Sequence, residues 1–249
     1  MSFAKRITQN MLHRLGVDLV PYPPSDWTRA RHVLVTVLRR AGINCVLDVG
    51  ANQGQYSWQL RSFGYKGRIV SFEPVKASFE ALGKTAREYP DWKTLQVALA
   101  SSSGVAEINV SEETVFSSFL APSESSLARF PGIRVSRTEA VQLRRLDDIL
   151  PECIAGIDDP RIYLKLDTQG YDLEVIKGST QSLAKIVALQ TEISLRPIYQ
   201  NMNSYTDSIS SLMALGFEIF DFVPVTRDRE RFGAIEMDCV MVKGKPISE

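Results

Sequence analysis

One stretch constrains the fold more than any other: Val46-Leu47-Asp48-Val49-Gly50-Ala51-Asn52-Gln53-Gly54-Gln55-Tyr56. A short apolar run passes straight into a glycine-containing turn and then into a helical pattern. Neither Gly50 nor Gly54 carries a Cβ, so the backbone there can approach a ligand closely. Loops of this kind, outside the carboxyl ends of parallel strands, are where α/β sheets bind ligands. Taken alone, a Gly-x-x-x-Gly after a strand is also a common structural turn.

The rest of the chain repeats the alternation. Strands are predicted at Cys45–Val49, Arg68–Phe72, Thr94–Leu99, Val105–Val110, Ile162–Leu166, Ile186–Ile193, Phe217–Val223 and Met237–Val242. Helices are predicted at Tyr56–Phe63, Val75–Tyr89, Arg144–Leu150, Leu173–Ala184 and Ser204–Leu215. Alternating strands and helices define an α/β protein with a largely parallel sheet covered on both faces. The last two strands have no helix between them, which predicts an antiparallel hairpin at the sheet edge. Upstream, Phe3, Ile7, Met11 and Leu15 recur at helical spacing beside Lys5, Arg6, His13 and Arg14. That basic amphipathic helix either packs on its own domain or lies on a membrane surface. Pro21 to Pro24 form a stiff linker. Ser25 then caps a second helix carrying Trp27, Ala30, Val33, Leu34, Val37, Leu38 and Ala41 on one face, ended by Gly42. The expected organisation is a helical extension over residues 1–43 and a sheet domain over 44–249.

Composition narrows the function. The 249 residues are 44% hydrophobic and 23% charged, which excludes an intrinsically disordered chain. Lys plus Arg and Asp plus Glu both total 29, so no global charge advertises a nucleic-acid partner. Cys45, Cys153 and Cys239 cannot close a disulfide framework, and Cys45 and Cys239 read as buried thiols. No apolar run approaches the ~18 residues of a spanning helix. No signal-peptide pattern opens the chain. The expectation is a soluble cytoplasmic protein, with homo-oligomer formation left open.

Glu73 ends the predicted second strand, 25 residues beyond Asp48. That is close to the ~20 residues at which an acid takes the hydroxyls of an adenosine ribose. Nicotinamide and flavin sites usually show Gly-x-Gly-x-x-Gly, with a helix N-terminus on the pyrophosphate. Here Asn52 replaces the middle glycine, and Asp48 sits two residues before Gly50. An acid there disfavours a pyrophosphate and favours a cofactor with a cationic or amine-bearing end.

Five motifs in order resemble the FkbM family of S-adenosylmethionine-dependent methyltransferases. They are the Asp48–Ser57 stretch, Ser71-Phe72-Glu73-Pro74, Val97–Ala100, Ser117-Ser118-Phe119 and Leu164–Gly178. The resemblance spans residues 44 to 245. It implies a Rossmann-like class I methyltransferase fold and a seven-stranded sheet. It also implies O-methyl transfer from S-adenosyl-L-methionine to a small-molecule, sugar, glycolipid or polysaccharide hydroxyl. Asp48, Gly50, Asn52 and Gly54 should line the methionine end of the cofactor, with Tyr56 adding a contact. Glu73 should take the ribose hydroxyls. Pro74, Ala98 and Leu99 should lie against the adenine. Ser117 and Ser118 match a family serine pair, or form an ordinary polar turn. Many relatives carry Asp-x-Glu-Gly where this chain has Asp167-Thr168-Gln169-Gly170.

Methyl transfer to an alcohol is an orientation problem helped by a general base, which contributes ~10²–10⁴-fold. The two histidines, His13 and His32, both lie upstream of the core. Asp167 and Glu192, at the ends of successive strands, are therefore the candidates, either as base or as ligands of a hard cation such as Mg²⁺. Asp172 reads mainly as a helix cap. Three segments are candidates to reach the acceptor: the polar excursion Ser111 to Arg137 as a lid, the group Arg196, Tyr199 and Tyr205, and the hairpin arginines Arg227, Arg229 and Arg231. Interleaved Asp228 and Glu230 make a solvated surface the plainer reading of that hairpin. A nicotinamide oxidoreductase lacks its Tyr-x-x-x-Lys pair here. A base-flipping methyltransferase lacks its Pro-Pro loop. A methyltransferase on another acceptor, a polyketide or an amine, and a non-catalytic binding protein on the same fold are the remaining alternatives.

Overall fold

The computed structural model describes residues 26–228 and 233–244. The helix expected over Phe3–Leu15 with its membrane reading, the Pro21–Pro24 linker, the Ser25 cap, Arg229, Glu230 and Arg231 lie outside the described residues.

A seven-stranded sheet has the spatial order β3-β2-β1-β7-β8-β10-β9. Its strands are β1 (Cys45–Val49), β2 (Arg68–Phe72), β3 (Trp92–Leu95), β7 (Ile162–Leu166), β8 (Ile186–Ser194), β9 (Phe217–Arg227) and β10 (Ala234–Lys243). Neighbours from β3 to β8 pair parallel, and β10 runs antiparallel to both β8 and β9. The predicted edge hairpin is thus present, with a short-range antiparallel return that needs no helix. β1 and β7 are sheet neighbours although five strands separate them in sequence. The chain therefore winds outward in both directions from that pair, which is where an open α/β sheet leaves a crevice.

Helices cover both faces. α1 (Asp26–Arg40), α2 (Gln55–Ser62) and α3 (Lys76–Ala86) pack on one; α5 (Leu146–Ile154), α6 (Asp172–Lys177) and α7 (Tyr205–Ala214) pack on the other. α1 buries Val33, Leu34, Val37 and Leu38 against a cluster that includes Val46, Tyr163, Ala188 and Val223. The apolar stripe read from its sequence is the stripe it buries. All three cysteines are buried free thiols.

Several elements differ from the sequence reading. The strand expected over Thr94–Leu99 is split. β3 stays in the main sheet, and β4 (Ala98–Leu99) turns away to join β6 (Val135–Arg144) and β5 (Gly104–Ser111) in a second, three-stranded sheet. β6 was not expected, because Ser136–Glu139 is polar and charged and only Val141 and Leu143 near its end turn into an apolar cluster. The helix expected over Leu173–Ala184 stops at Lys177. At the residue that follows, Gly178, a Cβ would stand 2.0 Å from the Ala100 carbonyl oxygen, so a distant loop passes too close there for any side chain. The Ser111–Arg137 excursion is also more ordered than a loop. It holds α4 (Glu124–Arg129), buries Ile133 and is tied down by Ser123 N–H donating to the Ile198 carbonyl (2.8 Å) and Gln200 N–H to that of Ala121 (2.8 Å).

Candidate active site

A cavity of about 890 Å³ opens at the carboxyl ends of β1, β2, β7 and β8. That is within the ~300–1,000 Å³ range of small-molecule sites. Its wall includes Gly50, Asn52, Gly54, Tyr56, Glu73, Pro74, Ala98, Leu99, Ser117, Asp167 and Glu192, all residues singled out from sequence. Asp48 and Ser118 are not on the wall.

The turn after β1 shows why it needs glycine. Gly50 has φ +77°, and a Cβ on it would lie 2.0 Å from the Asp167 carbonyl oxygen. The residue that starts the loop thus fits because the end of β7 presses on it. Asn52 also takes a left-handed conformation, and its N–H donates to Glu73 Oε2 (2.8 Å). Val75 N–H donates to the other oxygen, Oε1 (2.8 Å). Two backbone donors from different loops therefore fix one carboxyl group at the cavity wall. Burial still pushes the Glu73 carboxyl up to about 7, against the pull of those two N–H groups.

Asp48 takes a different place from the one expected. It is fully buried beneath the site, where Oδ2 accepts from Ser57 Oγ (2.7 Å) and Ser71 Oγ (3.3 Å). Lys165 Nζ stands 3.6 Å from its Oδ1. Trp92 Nε1 in turn donates to Ser71 Oγ (2.9 Å). Asp48 therefore joins β1, β2, α2 and β7 from inside, rather than reaching the cavity. Ser118 is likewise an internal strut: its hydroxyl donates to the Gln169 carbonyl (2.8 Å) and accepts from Leu120 N–H (3.0 Å).

The other end of the cavity is acidic. Lys165 Nζ donates to Asp167 Oδ2 (2.9 Å) and sits 5.1 Å from the centre of the Tyr56 ring. Burial alone would lower its pKa, but Asp167 and Asp48 outweigh that and raise it. Gln169 Nε2 donates to Asp167 Oδ1 (2.8 Å) and to Glu192 Oε1 (3.2 Å). The Gln169 carbonyl Oε1 lies 2.8 Å from the Tyr199 hydroxyl, which also reaches the Phe116 carbonyl (2.9 Å). Burial pushes the Glu192 carboxyl well above the carboxylate range, helped by Asp167, Glu236 and Asp238; its carboxyl is hydrogen-bonded to that of Glu236. Asp238, also on the wall, is raised to about 7 by burial despite a hydrogen bond to Gln190. Gln190 Oε1 accepts from the hydroxyls of Tyr56 (3.0 Å) and Tyr163 (2.9 Å). The amide of Gln169 thus bonds both Asp167 and Glu192. Among the described residues no three His, Cys, Asp or Glu side chains are grouped to hold a metal ion.

Lys165, Gln169, Gln190 and Asp238 escaped the sequence reading as site residues. The signal was there: Lys165 is the one charged residue of an otherwise apolar strand, and Gln190 and Asp238 each stand two residues, and so on the same strand face, from a glutamate, Glu192 and Glu236. Asp172 is structural, accepting from Thr168 N–H (2.9 Å) and Thr191 Oγ1 (2.5 Å), so it ties the turn after β7 to β8. Tyr199 is buried and Tyr205 is off the wall, so neither offers a ring face to the cavity. Arg196 pairs with Asp228 (3.1 Å) and Arg227 with Asp26 (2.9 Å). Arg227 makes a surface pair, as the plainer reading of the hairpin had it.

A mostly parallel seven-stranded sheet with one reversed strand near its edge, and a ligand-sized cavity over the β1 and β2 loops, places the protein among the Rossmann-like methyltransferase folds. Residues 48–219 match the methyltransferase FkbM domain. The chain belongs to the FkbM methyltransferase family. It is similar to the 2-O-methyltransferase NoeI of Sinorhizobium fredii (strain NBRC 101917 / NGR234), at 22% identity over 183 residues, 71% of this chain and 74% of that protein. It is 28% identical over 153 residues to the methyltransferase sdnD of Sordaria araneosa, covering 53% of this chain and 59% of the relative. Among solved structures, the methyltransferase FkbM of Methylobacillus flagellatus KT shares the fold with a TM-score of 0.50 and 16% identity. That match covers 79% of this chain and 43% of the other.

Proposed function

We propose that the protein transfers a methyl group from S-adenosylmethionine to a hydroxyl of a small-molecule or glycan acceptor, with residues 44–249 as the cofactor-binding domain. One observation carries the reading. Four carboxyl groups (Glu73, Asp167, Glu192, Asp238) line the described cavity wall, against a single cation, Lys165. With Glu192 protonated and Lys165 paired with Asp167, that lining offers carboxyl oxygens and no unpaired cation on the described wall. It suits a cofactor rich in hydroxyl and ammonium donors and leaves a pyrophosphate without a counter-charge.

The donor set fits the cofactor part by part. Glu73 keeps free acceptor capacity on both oxygens after its two backbone contacts, which suits two ribose hydroxyls. Pro74, Ala98 and Leu99 supply an apolar wall for the adenine, and the Gly50–Gly54 turn supplies backbone for the methionine end. When bound, the cofactor supplies an electrophilic methyl group. The chain supplies orientation and proton handling. Asp167, facing the cavity and held by Lys165 and Gln169, takes the proton of the acceptor hydroxyl. Glu192, kept protonated by burial and by Glu236, positions that hydroxyl.

Calorimetry with S-adenosylmethionine and S-adenosylhomocysteine tests the cofactor assignment: micromolar binding to the wild type, lost in Glu73→Ala. A folded wild-type protein that binds neither would sink it. For the base, Asp167→Asn should lower kcat ~10²–10⁴-fold at unchanged cofactor affinity. More than a tenth of wild-type turnover in Asp167→Asn would remove Asp167 from that role.

A further inference from the structure

Gln169 stands between the two carboxyl groups that the proposed chemistry uses. Its backbone is left-handed (φ +53°), a conformation that residues with a Cβ seldom take. Asparagine and aspartate relieve it with a short side chain that bonds locally, and glutamine has no such relief. Strain of this kind persists only where surrounding contacts enforce it, and it gathers at functional positions. Here the enforcing contact is the buried Ser118, whose hydroxyl donates to the Gln169 carbonyl (2.8 Å).

The amide can point only one way. Its nitrogen carries two N–H groups, and they reach Asp167 Oδ1 (2.8 Å) and Glu192 Oε1 (3.2 Å). Its oxygen stands 2.8 Å from the hydroxyl of the buried Tyr199. Turned over, the amide would set its carbonyl oxygen against the Asp167 carboxylate. Asp167 is thereby fixed at both oxygens, by Gln169 on Oδ1 and by Lys165 on Oδ2 (2.9 Å), while its side chain stays 32% exposed. Lys165 is the one cation on the described wall. A second would cancel the carboxylate's pull on a proton, whereas a neutral N–H orients the group and leaves its charge in place. An amide also holds no proton that it can pass on. It joins Asp167 to Glu192 without letting the two exchange one.

We propose that Gln169 is the positioning residue that assigns the two carboxyls their separate roles: its amide holds Asp167 toward the transferring methyl as the base, and holds Glu192 aside as the neutral partner. This rests on the methyltransferase reading above and deepens it.

Sinefungin tests this without an acceptor. In it an amine-bearing carbon replaces the methylated sulfur of S-adenosylmethionine, so an ammonium group reports any carboxylate held before the methyl. Calorimetry on the full-length protein compares it with S-adenosylhomocysteine, which has nothing at that place. The wild type should prefer sinefungin by roughly tenfold or more. Gln169→Met keeps the length of the side chain and removes both donors. It should abolish most of that preference while S-adenosylhomocysteine affinity stays within about twofold, which shows that the variant still folds. Tyr199→Phe, which frees the amide to turn, should lower the preference by a smaller factor. Glu192→Gln should keep it. In an Asp167→Asn background, where the preference is already gone, Gln169→Met should change nothing further. The proposal is overturned if the preference survives in Gln169→Met, or if S-adenosylhomocysteine affinity falls in step with that of sinefungin. It is equally overturned if Glu192→Gln removes the preference as Asp167→Asn does, or if Gln169→Met keeps its full effect without the Asp167 carboxylate. A wild type that binds S-adenosylhomocysteine with no preference for sinefungin also overturns it. A folded wild type that binds neither would instead strike the underlying methyltransferase reading.

Discussion

The two faces of the main sheet are made from adjacent residues of the same strands, yet they do different things. On one face Leu47, Val49, Val70, Phe72, Leu164, Leu166 and Leu189 form an unbroken aliphatic layer under α5, α6 and α7. On the other, Val46, Ile69, Tyr163, Ala188 and Val240 are apolar under α1 and α3, but the next residues toward the carboxyl ends turn polar: Asp48, Ser71, Lys165, Gln190 and Asp238. Burial does not distinguish the faces, because Asp48 and Ser71 are as inaccessible as Leu47 and Val70. What differs is the cost. Burying aliphatic groups stabilises the fold by about 25 cal/mol per Å². Burying carboxyls costs free energy, visible in the raised pKa values of Glu73 and Asp238. The polar half is a locally expensive floor for the cavity, and the opposite face supplies the stability that tolerates it.

Breaking the polar face should show the largest effect. Lys165→Met leaves Asp48 buried without its ammonium and should cost about 3–5 kcal/mol in urea unfolding. A variant as stable as the wild type would mean that the polar row is not held by that pair. Leu164→Ala, one residue away on the aliphatic face, should cost about 2–5 kcal/mol through its cavity while leaving cofactor affinity unchanged. A change in binding would show that the two faces are coupled.

The next effect is a pH dependence. Glu73 titrates near 7 in the folded protein and near 4.5 when unfolded. Between those values the folded state holds a proton that the unfolded state lacks, so this contribution is present at low pH and lost as pH rises through about 7. Asp238 acts in the same direction from 3.8. The ligand-free protein should gain stability on going from pH 8 to pH 6. Glu73→Gln should flatten that slope and raise stability at pH 8 by roughly 1–3 kcal/mol, while weakening cofactor binding. Thermal melts across this window check both signs; a slope that is unchanged in the variant would refute the assignment to Glu73. The smallest effect is expected outside either face. Arg227→Ala removes an exposed partner of Asp26 and should leave the melting temperature unchanged within error.

Local periodicity and glycine placement were enough to read β1, β2, β7 and β8 within a residue or so of their ends, together with the turn from Gly50 to Gly54 and the acid at Glu73. These features depend on contacts between near neighbours in sequence, and a strand-turn-helix writes them in consecutive residues. Other features were set by distant partners. The split of Thr94–Leu99 follows from the pairing of Ala98 and Leu99 with Leu143 and Arg144. The need for glycine just past the end of α6 follows from Ala100 lying against Gly178. The excursion after Ser111 is held down by residues near Ile198.

The sequence by itself determined the α/β class, the family and the residues at the head of the cavity, because spacing along one strand fixes which atoms reach its end. Only the tertiary structure decided that Asp48 is an internal anchor rather than a wall residue, since Ser57, Ser71 and Lys165 come to it from three other elements. The fold likewise brought Gln169 between Asp167 and Glu192, and Trp27 and Trp58 to the edge of one cavity. Sheet order and helix packing set those meetings, and neither is written in any one stretch of the chain.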